Sequence, residues 1–189
     1  MNPIDDSPRR RLLQTALVSL NGVIAEPLSW AGPYFGPGSA ARSLEVLRQC
    51  EAMLMGRRTY EVFSRQWPAA SGPYAQHINT MKKYVFSSTL DEAEWTNTTV
   101  VAADPAKAVA ELKRTPGRDL IVYGHGRFGQ TLCDAGLVDE LSLTVVPVFA
   151  EGTTFYRPGS PAQAWELVSA GPGRDPQLVS LTYRPVRPE

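Results

Sequence analysis

The chain has 189 residues, of which 43% are hydrophobic and 20% charged, and its 19 basic side chains balance 19 acidic ones. These numbers exclude a chain that is disordered or membrane-spanning as a whole, and they give no electrostatic reason to expect nucleic acid or a membrane surface as a partner. The first eleven residues are polar and lack the apolar run of a secretory signal. We therefore expect a cytoplasmic protein with a flexible tail over residues 1–10 and one domain over residues 11–187.

Strand and helix patterns alternate through the first two thirds of the chain. We predict strands over residues 12–20, 52–56, 83–88, 98–102, 119–123 and 139–149, and helices over residues 39–50, 57–67, 105–114 and 127–135. Residues 165–183 resemble two strands joined by a Gly/Pro turn. This order predicts an α/β fold in which a mostly parallel sheet carries helices on both faces and an antiparallel C-terminal hairpin.

A long loop separates the first strand from the first helix. Residues 25–39 hold three prolines, three glycines and three aromatic side chains, and Ser39 at their end is a candidate helix cap. A loop of this length inside a domain is typically functional or disordered, and the aromatic side chains favour a functional one.

The stretch LIVYGHGRFGQTL, residues 120–132, leads from a buried strand through a glycine turn into a helix. Gly124, Gly126 and Gly129 match G-x-G-x-x-G, which lets the backbone approach a dinucleotide pyrophosphate at a helix N-terminus. Only 60 residues follow Gly129, too few for the remaining units of a Rossmann fold. We expect Gly124 and Gly126 to approach a phosphate and Gly129 to allow close packing. The alternative is that the glycines only permit a tight turn.

Two further strand ends have the same polar character. Gly56 ends a strand and is followed by Arg57, Arg58 and the hydroxyl of Thr59, whereas Ser87 and Ser88 end the next strand. Arginines beside an uncapped helix N-terminus favour an anion. In an open α/β sheet such ends meet in the crevice where nucleotides bind.

The two cysteines and two histidines do not form a metal site. Cys50 and Cys133 lie far apart within apolar patterns, so we expect reduced core thiols. His77 and His125 have no cysteine, histidine or carboxylate at ligand spacing, so we expect no metal.

The segments GRRTYEVF, KYVFSSTL and VYGHGRFGQTLCDAGLVDELSLTVVPVFAEGTTF resemble the dihydrofolate reductase-like superfamily. Within it they are most similar to the RibD C-terminal family, the reductase of riboflavin biosynthesis, as a stand-alone member. The resemblance spans residues 11–184. It implies a three-layer dihydrofolate reductase-like fold, a homodimer and NADPH as the cofactor.

The resemblance also implies a set of cofactor-binding residues. Arg57 or Arg58, with the family pattern favouring Arg57, would hold the adenosine 2′-phosphate together with the two serines, and the turn over residues 124–127 would lie on the pyrophosphate. An arginine there agrees with NADPH, because NADH offers it no 2′-phosphate. The implied set is Gly56, Arg57, Arg58, Thr59, Ser87, Ser88, Thr89, Tyr123, Gly124, His125, Gly126, Arg127 and Phe128.

By the same resemblance the substrate would lie beneath the loop after the first strand. Asn21 would approach the nicotinamide, and the implied substrate-binding residues also include Trp30, Tyr34, Phe35 and Ser39. The alternative is that the aromatic side chains only anchor the loop. Dihydrofolate reductases carry a carboxylate at the start of the next helix, where this chain has residues 37–40, PGSA. We therefore do not expect dihydrofolate reduction, and any proton would come from water, Ser39, a tyrosine or the substrate.

The expected activity is NADPH-dependent hydride transfer to a small heterocyclic or carbonyl- or imine-bearing substrate. Candidate substrates are 5-amino-6-(5-phosphoribosylamino)uracil, as in riboflavin synthesis, and a specialised metabolite or xenobiotic. The alternative is that the protein is not an enzyme: it would bind NADPH without catalysis and act as a sensor or an assembly partner.

Overall fold

The structure is a computed structural model that describes residues 10–155, 158–159 and 162–186. Its strands are β1 (Leu12–Ser19), β2 (Cys50–Gly56), β3 (Lys82–Phe86), β4 (Thr98–Val101), β5 (Asp119–Tyr123), β6 (Glu140–Val146), β7 (Trp165–Pro172) and β8 (Val179–Pro185). Its α-helices are α1 (Pro27–Trp30), α2 (Pro37–Gln49), α3 (Arg57–Gln66), α4 (Pro73–Thr80), α5 (Pro105–Arg114) and α6 (Arg127–Asp134), and a 3-10 turn covers Gly32–Tyr34.

The eight strands form one sheet in the order β4-β3-β2-β5-β1-β6-β8-β7. Strands β1 to β6 pair in parallel, whereas β8 runs antiparallel to both β6 and β7. This arrangement confirms the predicted α/β fold with a mostly parallel sheet and an antiparallel C-terminal hairpin. Because the carboxyl ends of the parallel strands share one edge, the loops after β1, β2, β3, β5 and β6 gather there.

The core lies on both faces of the central strands, because successive side chains of a strand point to opposite faces. On one face the strand residues, including Met53 and Ile121, pack against Leu47 of α2 and Ile78 of α4. On the other face the core includes Leu54, Val122, Val109 and Leu132, the last two from α5 and α6. Burial on both faces explains why these strands appear in the sequence as continuous apolar runs.

Some predicted boundaries were wrong. Helix α4, which buries only Ala75 and Ile78, was not predicted, because two apolar positions give a weak helical pattern. The predicted strand 139–149 ends at Val146, where the Val148 N–H turns back to the Val146 carbonyl. Helix α2 begins at Pro37, so Ser39 lies inside its first turn and does not cap it. Proline favours the first helical position because its φ is already helical.

Residues 1–9 of the predicted tail, and residue 187 at the predicted domain end, lie outside the described residues. Arg10 is described and is 5% exposed. Its guanidinium donates hydrogen bonds to the Arg118 carbonyl at 2.7 Å and to Thr115 at 3.1 Å, and it pairs with Glu51 at 3.4 Å. Arg10 is therefore part of the packed structure.

Lys83 is a charged residue buried inside β3. It is 1% exposed, and its Nζ donates to the carbonyls of Asn79, Met81 and Thr96 at 2.8–3.0 Å. The same ammonium lies 4.5 Å from the ring centroid of Trp95. These contacts join the end of α4 to the chain between β3 and β4, and burial lowers the pKa of Lys83 to about 8.

No helix in the described parts of the chain is long and apolar enough to cross a membrane.

Candidate active site

Three polar strand ends meet at the carboxyl edge of the sheet. Gly56 at the end of β2 pairs with Phe86 at the end of β3. The Phe128 ring, in the first turn of α6, stacks on Phe86 with centroids 4.6 Å apart. A Cβ on Gly56 would lie 3.1 Å from the Cβ of Phe128, so α6 needs a small residue there to approach β2. The three segments chosen from the sequence are therefore neighbours.

Arg57 joins two of these segments. Its Nη1 donates to the Thr89 hydroxyl at 2.6 Å and to the Thr89 carbonyl at 3.2 Å, and its Nε donates to Glu61 at 2.7 Å. The side chain is 46% exposed, so it stays accessible from solvent. The positive charge of Arg57 thus lies between the start of α3 and the turn after β3.

The turn after β3 is organised by Ser87, whose hydroxyl accepts the N–H groups of Thr89 at 3.2 Å and Leu90 at 3.1 Å. Ser88 and Arg58 are exposed, and Thr59 is half-buried. A serine that orders its own turn presents the following N–H and hydroxyl groups in a fixed arrangement.

Helices α3 and α6, which begin at this edge, lack side-chain caps. The residues that precede α3 and α6 are Gly56 and Gly126, and neither first turn is bonded by a cap side chain. By contrast, Asp104 caps α5 by accepting the Lys107 N–H. Uncapped first turns leave backbone N–H groups available to an anion, and the helix dipole favours negative charge there. Arg127, at the start of α6, is exposed beside them.

The three glycines of the turn between β5 and α6 have different surroundings. Gly124 has a φ of +84°, a conformation that favours glycine, and a Cβ on Gly124 or Gly126 would meet nothing within 4 Å. A Cβ on Gly129 would collide with the Gln14 side-chain amide and lie 2.9 Å from the Gly124 carbonyl. Gly129 is therefore a packing residue, as expected, whereas the other two leave open space in front of the turn.

His125 lies behind this turn and is only 4% exposed. Its Nδ1 is 2.8 Å from the Gln14 amide nitrogen, and its Nε2 is 2.9 Å from the Gln130 amide oxygen. The Gln14 amide also donates to the Gly124 carbonyl at 2.9 Å. The imidazole stacks on Phe155 with centroids 3.7 Å apart and a 7° interplanar angle. The structure thus places His125 as a support of the turn.

This hydrogen-bond pattern fixes the protonation state of His125. The Gln14 amide nitrogen can only donate, so Nδ1 accepts and the proton resides on Nε2, facing the Gln130 oxygen. Burial lowers the pKa of His125 below its ordinary value, opposed by the Gln130 hydrogen bond and the charge of Asp134. The two amide contacts are therefore those that a neutral imidazole makes.

The residues expected to bind the substrate lie beside the ends of β1 and β6. Asn21 donates to the Ala150 carbonyl at 2.8 Å and accepts the Ala150 N–H at 3.0 Å, which ties the turn after β1 to the segment after β6. Trp30 and Tyr34 pack in a small core with Leu17 and Val146. Phe35 is 41% exposed.

A carboxylate does reach the start of α2, but it comes from the turn between β7 and β8. Asp175 accepts the backbone N–H groups of Gly36 at 2.9 Å, Gly38 at 3.0 Å and Ser39 at 2.7 Å. Hydrogen bonds from Ser39, and then from the other two residues, lower the pKa of Asp175. Both carboxylate oxygens are thus used to hold the helix, and the residue was not predicted because it lies 136 positions after Ser39.

Among the described residues, no group of three histidine, cysteine or acidic side chains is arranged to hold a metal ion. Cys50 and Cys133 are both buried, and burial raises the pKa of each thiol to about 12. Neither cysteine is activated as a nucleophile.

The RibD C-terminal domain family matches residues 10–172. The chain belongs to this family. An uncharacterised protein of Bacillus subtilis, YyaP, is 31% identical over 119 residues, which is 59% of this chain and 62% of YyaP, so the match spans less than two thirds of that relative.

Three solved structures share the fold. A putative riboflavin biosynthesis protein from Shewanella has a TM-score of 0.75 at 19% identity, covering 94% of this chain and 99% of that one. A pyrimidine reductase-like protein from Corynebacterium diphtheriae has a TM-score of 0.68 at 15% identity, covering 95% of this chain and 93% of that one. Dihydrofolate reductase from Enterococcus faecalis, in complex with NADP(H), has a TM-score of 0.61 at 20% identity, covering 94% of this chain and 97% of that one. The chain therefore has the predicted dihydrofolate reductase-like fold.

Replacing Gly129 by alanine should lower the free energy of unfolding by about 1–3 kcal/mol, because the added methyl group overpacks the contact with Gln14. Gly126→Ala is the matched control, since its methyl group would enter open space. Urea denaturation of both variants measures the difference. Equal losses in the two variants would contradict the packing role of Gly129.

The pKa of His125 should lie below 6.5, and its neutral ring should carry the proton on Nε2. Since the unfolded chain then binds more protons than the folded one just below pH 6.5, the free energy of unfolding should fall as the pH drops through that window. NMR titration of ¹⁵N-labelled histidine measures both the pKa and the tautomer. A pKa at or above 6.5, or an Nδ1–H tautomer, would show that the buried arrangement is wrong.

Proposed function

We propose that the protein is an NADPH-dependent reductase whose nucleotide site is the crevice between the ends of β2, β3 and β5. The observation that carries the proposal is the Arg57 guanidinium, which starts the uncapped helix α3, pairs with Glu61 and is held by Thr89 against the turn after β3. Arginines beside helix starts that no side chain caps suit the separate phosphates of a phosphorylated dinucleotide.

Each phosphate has a distinct set of donors in this proposal. Arg57 and the turn at Ser87 and Ser88 bind the 2′-phosphate, with Arg58 and Arg127 contributing positive charge nearby. Thr59 and the backbone over residues 124–127 bind the pyrophosphate. The open space in front of Gly124 and Gly126 supports this assignment, because a side chain there would fill the cradle.

When bound, NADPH supplies a hydride, and the chain supplies orientation and exclusion of water. The loop over residues 25–38 covers the substrate beside the end of β1, with Asn21 near the nicotinamide and Trp30, Tyr34 and Phe35 along its wall. Asp175 is not available as a proton donor, because the backbone of α2 occupies both of its oxygens. This excludes the acid-assisted chemistry of a dihydrofolate reductase from the proposal.

The proposed substrate is a small heterocycle or a compound with a carbonyl or imine group. The riboflavin-type aminouracil reduction is supported by the family, and reduction of a specialised metabolite is the alternative within the same class. Binding of NADPH without turnover would instead favour a sensor or an assembly partner. NADPH oxidation assayed against aminouracils, pterins, quinones and imines separates these functions.

We also propose a homodimer that acts in the cytoplasm, where the two buried free thiols would stay reduced. The face formed by β6, β8 and β7 places Val145 opposite Val179 and Leu143 opposite Leu181. On β7 and β8, Leu167, Val168 and Val179 are 52%, 44% and 43% exposed. An exposed aliphatic patch on β7 and β8, the last strands of the sheet among the described residues, supports association with a second copy.

The protein should bind NADPH more tightly than NADH, and Arg57→Ala should remove most of that preference. The lost charge-assisted hydrogen bond corresponds to about 1.5–3 kcal/mol, or about 10- to 100-fold in Kd for NADPH. Titration calorimetry with both cofactors measures the effect. Arg65→Ala on the same helix is the matched control and should leave both affinities unchanged. A loss of equal size for NADH and NADPH would contradict a 2′-phosphate contact.

Leu167→Asp should convert the dimer into a monomer of the 20.7 kDa chain mass, because it places a charge in the aliphatic patch. Sedimentation equilibrium of the native protein and the variant measures the mass. Val62→Asp, at an exposed apolar position on α3, is the control that should leave the mass unchanged. A monomeric native protein would rule out the proposed association.

A further inference from the structure

Five polar side chains form one continuous set of hydrogen bonds behind the turn between β5 and α6. We call this set the polar network, and its members are Cys133, Gln14, His125, Gln130 and Asp134. The first four are at most 9% exposed, whereas Asp134 is the exposed last residue of α6. Among the described residues, no buried nitrogen or oxygen atom of the polar network lacks a hydrogen-bond partner.

Helical spacing and close packing bring the polar network together. Gln130 lies three residues before Cys133 and four before Asp134, so the three side chains share one face of α6. Gln14 reaches this face from β1 because Gly129 has no side chain. A Cβ on Gly129 would collide with the Gln14 amide nitrogen. The polar network therefore depends on the same close approach that packs α6 on the sheet.

All hydrogen bonds of the polar network run in one direction. The Cys133 thiol donates to the Gln14 amide oxygen at 3.2 Å, and the Gln14 amide nitrogen lies 2.8 Å from Nδ1 of His125. Nε2 of His125 lies 2.9 Å from the Gln130 amide oxygen. The Gln130 amide nitrogen donates to Asp134 at 2.7 Å. Because an amide nitrogen only donates and an amide oxygen only accepts, every donor points from Cys133 towards Asp134.

The carboxylate at the end of the polar network fixes this direction. An ionised carboxylate can only accept, so the Gln130 amide turns its nitrogen towards Asp134 and its oxygen towards His125. The neutral imidazole then carries its proton on Nε2 and offers Nδ1 as an acceptor to Gln14. The reversed direction would place the Gln130 oxygen against the carboxylate and leave two acceptors unpaired.

The direction matters at Gly124, which has a left-handed conformation in the turn. The Gln14 amide nitrogen has two hydrogen atoms, one for His125 and one for the Gly124 carbonyl at 2.9 Å. Reversal would turn the Gln14 oxygen towards that carbonyl, so the hydrogen bond would be lost and two acceptors would face each other. The position of the Gly124 carbonyl therefore depends on a carboxylate at the far end of α6.

We propose that Asp134 is a positioning residue for the turn over residues 124–127: its carboxylate sets the direction of the polar network, and Gln14 thereby fixes the Gly124 carbonyl. Asp134 acts only through the buried amides and the imidazole. This inference rests on the proposed function, because the turn is the segment assigned there to the pyrophosphate. The direction of the polar network can be measured without any cofactor.

Asp134→Lys should change the tautomer of His125. An ammonium group can only donate, so the acceptor that orients Gln130 is lost and the Nδ1–H tautomer should become populated. ¹⁵N NMR of histidine-labelled protein at about pH 8, where an imidazole is neutral, measures the tautomer. A His77→Gln variant assigns the two imidazole signals. Lysine is favourable at the C-terminal end of a helix, so α6 should stay folded. An imidazole that keeps its proton on Nε2 in Asp134→Lys would overturn the proposal.

Two further variants control this measurement. Glu111→Lys makes the same change of charge at an exposed position of α5 and should leave the tautomer unchanged. Asp134→Asn keeps an acceptor oxygen, so it should populate the Nδ1–H tautomer less than Asp134→Lys does. An equal response to Glu111→Lys would show a general effect of charge and would overturn the role of Asp134.

The carbonyl ¹³C signal of Gly124 measures the second step. It should shift in Asp134→Lys, because the carbonyl loses the Gln14 donor, and it should stay in place in Glu111→Lys. A Gly124 signal that does not move while the tautomer of His125 changes would overturn the link between the polar network and the turn.

Calorimetry with NADPH joins the polar network to the proposed function. Asp134→Lys should raise the Kd by about 2- to 10-fold, the size expected for one hydrogen bond, although its added positive charge would by itself attract phosphates. Glu111→Lys should not raise the Kd. A changed tautomer without a rise in the Kd would overturn the positioning role and leave the proposed reductase intact. A native protein that does not bind NADPH would overturn the proposed reductase, and the two NMR measurements would still decide whether Asp134 fixes Gly124.

Discussion

The position of β5 is the constraint on which the rest of this structure depends. This strand comes late in the chain, yet it pairs in parallel with both β1 and β2 at the centre of the sheet. Its C-terminal end therefore lies between the loop after β1 and the start of α3. Because the chain must turn there from the sheet into α6, one short turn brings the uncapped start of α6 against the end of β2, where α3 begins.

Close packing behind that turn keeps its backbone accessible in front. Gln14 lies between Gly129, Gly124 and His125, so the side-chain amide of one buried residue fixes the helix, the turn and the imidazole together. Buried polar groups that are fully hydrogen-bonded favour one arrangement over others, because each alternative leaves a donor or acceptor unpaired. The start of α6, which has no capping side chain, is thus held in place by Gln14 and His125 packed behind it.

The sequence was sufficient to predict the order of the strands and the helices α2, α3, α5 and α6, since buried parallel strands are continuous apolar runs and Gly56, Gly124 and Gly126 mark where helices start. It also identified the three segments that meet at Phe86 and Phe128. It could not identify Lys83 as buried, because a lysine at the start of a strand is normally solvated. Nor could it identify Asp175 as the carboxylate that holds the start of α2. That contact depends on which distant segments the fold brings together, and no local spacing carries that information.

The contact between Asp175 and the start of α2 links two parts of the chain that lie far apart in the sequence. The turn between β7 and β8 and the end of the loop over residues 25–38 share three hydrogen bonds, so neither can open locally without breaking bonds of the other. The hairpin that carries the exposed aliphatic patch is thus bonded through its turn to the end of the loop over residues 25–38.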